Sequence, residues 1–174
     1  LSQITNTVCY YPLSTAIEKF LKKPKVEVAY GFEPIETIRK GVENFRSKYG
    51  SKYYQNGCCA KLAIYCGSIE RLEAQVFPFL TGEMKISPDE ILKFHRGNKK
   101  YKLPKENELE FISLDIPATK AGISKKIILL VQVGKEGWDC RSLTGVILSQ
   151  QGDCKTTMVL QTSCRCLRQV DKGM

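Results

Sequence analysis

A chain of 174 residues, 43% hydrophobic and 26% charged, has the length and composition of one packed domain and excludes wholesale disorder. Its longest strongly apolar run is Ile127 to Val133, far short of the roughly 20 residues that span a bilayer, so a transmembrane protein is excluded. Lys and Arg total 27 against 18 Asp and Glu, a net charge of +9 spread along the chain rather than held in a tail. A surface of that sign favours phosphate-bearing partners through counterion release.

The chain opens on Leu1 with no charged leader before a long apolar segment, which reads as a piece of something longer with no visible secretory signal. Ser14 is placed to cap a helix from Thr15 to Lys22, before Pro24. Pro34 opens a longer helix to Tyr49, with Ile35, Ile38, Val42, Phe45 and Tyr49 on one face and Gly50 as its stop. Residues 51–60 are turn-rich, and Lys61 to Cys66 reads as a buried strand. Ser68 caps a helix to about Leu80, weakened by Pro78. Ser87-Pro88-Asp89-Glu90 reads as a capping box with proline at the first helical position, predicting a helix that closes at Gly97.

The second half turns to short, β-branched apolar runs: Glu110 to Asp115, Ile127 to Val133 and Gly145 to Gln150. Strands buried on both faces look like this and belong to parallel sheets flanked by helices. A final helix is expected from Thr156 or Thr157 to about Val170. The alternation gives an α/β fold, expected to be three-layered.

Eight cysteines, Cys9, Cys58, Cys59, Cys66, Cys140, Cys154, Cys164 and Cys166, include no C-x-x-C pair, and the single His95 has no cysteine at zinc-finger spacing. They read as reduced, mostly buried thiols of a cytoplasmic protein. No metal site is expected.

Three stretches carry candidate chemistry. On the last helix Gln161, Arg165 and Arg168 share one face, opposite Val159, Leu160, Ser163, Cys166, Leu167 and Val170. Guanidinium forks placed together suit a phosphate, unless they are simply solvated. The loop Val133-Gly134-Lys135-Glu136-Gly137-Trp138-Asp139 follows the most apolar strand, where ligands gather in open α/β sheets. The alternative there is a tight turn with Trp138 packed beneath it. Lys93 to Lys105 holds six basic residues and no acid, with aromatics interleaved. That composition tracks single strands in basic grooves, or else forms a solvated loop.

KLAIYC, IILLVQV-GKEGWDC and LQTSCRCLRQV, in that order, resemble motifs IV, V and VI of a superfamily 2 helicase. The E-G-W-D and Q-x-x-x-R-x-x-R elements are most similar to the Res subunits of type III restriction enzymes. The resemblance covers about residues 61–170 and implies a second RecA-like domain over 61–174, with 1–60 a helical extension or insertion packed on the motor. It implies that Arg165 and Arg168 reach the γ-phosphate of ATP, with Mg2+, held by a first RecA-like domain. Gln161, Gly137 and Asp139 would approach the nucleotide, Asp139 near the ribose. Cys66, Gly67, Ser68 and the stretch from Val131 to Gly134 would line the DNA side; Lys99, Lys100 and Lys102 are candidates for the same role from the composition of the basic stretch alone. The implied partners are DNA, the first RecA-like domain and a methyltransferase subunit.

Two positions depart from the pattern: Cys164 stands where a glycine precedes the first arginine, and Val131 where a threonine contacts the nucleic-acid backbone. The chain has no G-x-x-x-x-G-K-[ST], and Asp89-Glu90-Ile91-Leu92 reads as capping rather than as a metal-holding box. An ATPase half of this kind is expected to be inactive alone. Two other classes compete. One is a non-catalytic nucleic-acid-binding or interaction module on the same fold. The other is a cysteine-nucleophile enzyme, disfavoured because His95 is remote in sequence from every cysteine and no nucleophile elbow is present.

Overall fold

Lys61–Tyr65 (β1), Ile91–Phe94 (β2), Ile127–Leu130 (β3) and Leu143–Leu148 (β4) pair in a wholly parallel sheet of order β2-β3-β1-β4. The structure, a computed structural model, describes residues 13–19, 21, 23, 25, 33–131, 138–149 and 164–167. Among these, β1 and β3 are the central strands, and every residue of both is buried. This is the near-continuous apolar signature that a parallel sheet covered on both faces requires.

Alternate residues feed two cores. Leu62, Ile64, Ile91, Ile127, Leu129 and Ile147 pack with Ile38, Val42 and Phe45 of α2 (Pro34–Tyr49) and with Leu72, Val76, Phe79 and Leu80. Ala63, Tyr65, Leu92, Ile128, Leu130 and Leu143 meet Phe111 and Leu114, from α4 (Lys105–Ile112) and the turn after it, and Ala121 of α5 (Lys120–Ser124). Of the amphipathic face expected of α2, Ile38, Val42 and Phe45 are buried and Ile35 is half-buried, while Tyr49 in the last turn is exposed. A shorter helix, α1 (Leu13–Lys19), precedes it and stops before the expected Lys22.

Ser68 caps as expected: its Oγ accepts the Arg71 N–H at 3.1 Å, opening α3 (Ile69–Arg71). The helix then widens into π-helical segments at Leu72–Val76 and Phe79–Glu83. Pro78, which has no N–H to donate, lies between them.

Two expected elements are overturned. The Ser87-Pro88 capping box yields only a 3-10 turn, Pro88–Glu90, in which Ser87 Oγ accepts from Asp89 N, and the chain then enters β2 instead of a helix to Gly97. Pairing of Ile91 and Leu92 with Ile127 and Ile128 outweighs the local helix signal. The run Glu110–Asp115 is no strand: it is the end of α4 and a turn, with Phe111 and Leu114 inward and Leu109 and Ile112 left at the surface. Of the expected final helix only Cys164–Leu167 is described. It forms a 3-10 turn, so the 100° facing assumed for an α-helix does not apply across it.

At its amino end β4 shifts register, pairing Leu143 with Lys61 and Gly145 with Leu62. The skipped Thr144 is held by a 2.6 Å hydrogen bond between its Oγ1 and the Tyr54 hydroxyl. Beside this bulge Lys61 is fully buried. Its Nζ donates to the carbonyls of Cys59 and Gly122, both at 2.9 Å. Asp115 accepts from Arg141 N, from Ser142 N at 3.0 Å and from Ser142 Oγ, fastening the entry to β4.

Candidate functional site at the carboxyl edge of the sheet

Because all four strands are parallel, all four carboxyl ends lie along one edge. The chain leaves β1 on the core face of α3 and returns from β2 on the core face of α4 and α5. The connections after β1 and β2 therefore pack on opposite faces of the sheet, and open α/β sheets bind ligands outside the carboxyl ends of their strands. Cys66-Gly67-Ser68 follows β1 and Val131 follows β3. The Cys66 N–H donates to Leu130 O at 2.9 Å, and the Ser149 N–H, past β4, donates to Tyr65 O at 3.4 Å.

The first expected contact residue changes role. Cys66 is fully buried in the core, its Sγ 3.6 Å from Ile64 O, so only its backbone faces the edge. Gly67 adopts φ +83°, the left-handed conformation that glycine tolerates and that turns the chain from β1 into α3. Ser68 is exposed but has its hydroxyl committed to the cap. Arg71, which sequence reasoning passed over, ties the edge together. Its Nη1 donates to Cys66 O at 3.4 Å and to Ser149 O, while Nη2 is buried with no hydrogen-bond partner among the described residues.

The loop after β2 carries the basic cluster, and here the structure divides its residues. Lys93 is drawn inward: its Nζ lies 2.8 Å from Glu73 Oε2 and 4.6 Å above the Phe77 ring. His95, whose side chain is fully buried, accepts the Gly97 N–H at Nδ1 (3.0 Å). Nε2 is thereby the protonated nitrogen and faces Glu73 Oε1 at 3.3 Å. Both ring nitrogens are engaged, which removes His95 as a partner for a nucleophilic cysteine. Asn98 Nδ2 donates to Glu70 Oε1 at 2.7 Å, and its Oδ1 accepts from Lys100 N and Tyr101 N. Glu70 and Glu73 on the helix after β1 thus fix the root of the loop. Lys99, Lys100 and Lys102 remain exposed, with Lys100 Nζ 5.1 Å from the Tyr101 ring. Nothing in the sequence pairs Glu73 with His95 and Lys93; the parallel register of β2 does.

Trp138 packs rather than opening a loop: it stacks on Phe111 at 5.1 Å, which stacks on Phe94 at 3.9 Å. Asp139 is exposed beside it, and Arg165 falls in the turn Cys164–Leu167. Gly134, Gly137, Gln161 and Arg168 lie outside the described residues. Among the described residues no group of three His, Cys, Asp or Glu is arranged to hold a metal, and no helix is long and apolar enough to cross a membrane.

Burial pushes the Cys66 thiol up to about 12, and burial together with nearby Asp115 does the same for Cys140. Both are therefore protonated and poorly nucleophilic at neutral pH. Neither should react with a disulfide reagent at pH 8 in the folded protein, and both should react once urea unfolds it. A thiol held above its unfolded value of about 9 contributes stability that is present below that pH and lost as pH rises to about 12. Urea midpoints should therefore fall across that interval; a flat profile would contradict the assignment.

No protein-family model, curated protein or solved structure matches this chain.

Proposed function

We propose that this chain is the second RecA-like motor domain, three-layered, of an ATP-dependent DNA translocase similar to type III restriction Res subunits. One observation carries the reading. A single sheet edge gathers the Gly67-Ser68 turn after β1, the lysine loop after β2 and Val131 after β3. The resemblance assigns the segments after β1 and β3, motifs IV and V, to a DNA side, and the composition of the lysine loop adds the segment after β2. In this proposal ATP and its Mg2+ are held by a first RecA-like domain, because the sequence carries no G-x-x-x-x-G-K-[ST] to cradle the phosphates. Arg165 and Arg168 are its arginine fingers, and Gly137, Asp139 and Gln161 approach the nucleotide. Residues 1–60 form an extension packed on the motor, a methyltransferase subunit is a further partner, and the setting is cytoplasmic.

Electrostatics supplies the test. Exposed lysines on a loop anchored at its root hold phosphates without a large ordering cost. Reversal of Lys99, Lys100 and Lys102 to Glu should weaken single-stranded oligonucleotide binding by at least ~100-fold at low salt. It should also flatten the plot of log affinity against log salt by roughly two units, since each released counterion contributes about 0.7. Equal affinity and an unchanged slope, read by fluorescence anisotropy, would remove DNA from this edge.

One observation favours a second reading, a non-catalytic nucleic-acid-binding module on the same fold. Val131, where a threonine is expected to touch the backbone, is buried in the core at 6% exposure. The two readings share the binding edge and differ in turnover.

A further inference from the structure

We propose that His95 is a pH-operated latch on the lysine loop: its neutral ring holds the root of the loop at Gly97, and protonation at Nδ1 releases that hold. The His95 side chain has no exposure, and its two nitrogens have different tasks. Nδ1 accepts the Gly97 N–H at 3.0 Å, while Nε2 faces Glu73 Oε1 at 3.3 Å. Imidazole is the side chain that ordinarily changes charge between about pH 5 and 8, and its charged form has two donors and no acceptor. A proton on Nδ1 would point a second donor at the Gly97 N–H. Ring or loop then has to move.

The surroundings decide which. Glu73, 12% exposed, attracts a charged ring more strongly than a neutral one and so keeps Nε2 in place. Its other oxygen holds Lys93 Nζ at 2.8 Å, and that cation opposes the added charge, as burial does. Glu70 lies one step out, on Asn98 Nδ2 at 2.7 Å, and Arg96, next in the chain, is exposed. Asn107 of α4, which carries no charge, donates Nδ2 to Lys93 O at 2.9 Å, and β3 runs on into buried Val131. The ring is therefore held on its Nε2 side in both charge states.

The loop is the part that can give. Gly97 sits at φ +77°, in a region where glycine moves without strain. The turn 98–101 closes on itself: Asn98 N donates to Tyr101 O at 2.9 Å, and Asn98 Oδ1 accepts from Lys100 N and Tyr101 N. It moves as one piece, carrying exposed Lys99 and Lys100. With the ring neutral the root is held at two points, His95 to Gly97 and Glu70 to Asn98; with the ring charged it is held at the second alone. A fixed root lowers the ordering cost of gripping an anion, so pH sets how firmly the loop presents its lysines. The latch does not depend on the motor reading, since it concerns the root of the loop and not its ligand.

His95 is the only histidine of the chain, so its ring signals identify themselves. Nuclear magnetic resonance of the isotope-labelled full chain, followed from about pH 8 to about pH 5, reads ring and loop together. The ring should start as the Nε2-protonated tautomer and titrate once, and the amides of Gly97, Asn98, Lys100 and Tyr101 should move with the same midpoint. Glu73→Gln removes the charge that favours the protonated ring and should lower that midpoint by about 1 unit. Asparagine places an oxygen where Nδ1 stands and takes no proton, so His95→Asn should keep the loop amides at their high-pH positions throughout. A ring that does not titrate, loop amides that stay still while it does, or a midpoint that Glu73→Gln leaves in place would overturn the proposal. So would a loop transition that persists in His95→Asn, or loss of all dispersed signals as the ring titrates, since release would then be global unfolding. Should His95→Asn not fold, the wild-type and Glu73→Gln titrations decide alone.

Discussion

Replacing Lys61 with alanine should lower the unfolding free energy by about 3–5 kcal/mol, the range for emptying a buried long side chain and stripping a buried carbonyl of its donor. The ammonium is fully enclosed and fills space between the chain entering β1 and the Gly122 carbonyl of α5. Alanine removes that bulk and leaves Cys59 O without the Nζ donor it now has. Gly122 O keeps the Cys59 N–H, at 3.0 Å. Methionine refills the volume and removes the desolvated charge, so it should recover more than half of the loss. Urea unfolding with a shared slope reads both values. A loss below about 1 kcal/mol for alanine would mean that the pocket collapses around the missing side chain. Equal losses for the two variants would place the whole effect in the charge.

The second large effect concerns turnover. In a parent chain that contains both motor domains, Arg165→Ala and Arg168→Ala should each reduce DNA-stimulated ATP hydrolysis by roughly 10³-fold, the lower end for an arginine finger. DNA affinity should be nearly unchanged. Charge developing on a transferring phosphoryl group is stabilised by a preorganised cation, and lysine, a compact point charge, should not restore the rate. A parent that binds DNA and hydrolyses nothing, or variants equal to wild type, would leave the binding-module reading in possession of this fold.

How far sequence anticipates structure here depends on whether burial and local preference agree. For β1 and β3 they agree: Leu62–Tyr65 and Ile127–Leu130 are unbroken runs of buried, mostly apolar side chains because both faces of each strand are covered. The α2 face and the Ser68 cap were equally legible. At 88–97 they conflict, and the non-local pairing of β2 with β3 prevails over a well-formed capping signal. The error at 110–115 is more instructive. Ile112 made the segment look like a strand interior, yet it lies on the outer face of α4, where packing gives no reason for it. The candidate edge was legible through Gly67-Ser68 and the lysine loop. Its supports were not: Glu73 pairs with His95 and Lys93 across about 20 residues, and Arg71 spans to Ser149 across 78. Contacts of that kind follow from topology, which no local pattern encodes.

The strand order has a consequence in time. β1 pairs only with β3 and β4, and Leu62 meets Ile127 on one side and Gly145 on the other. Synthesis at about 5–20 residues per second separates Leu62 from its first partner by roughly 3–13 seconds. During that interval a strand that is wholly buried in the finished domain has no neighbour. Loop closure must precede every ladder bond it makes with β3 and β4. Folding of this chain should therefore be slow for its size, and aggregation of truncated products should set in when they include β1 but stop short of β3.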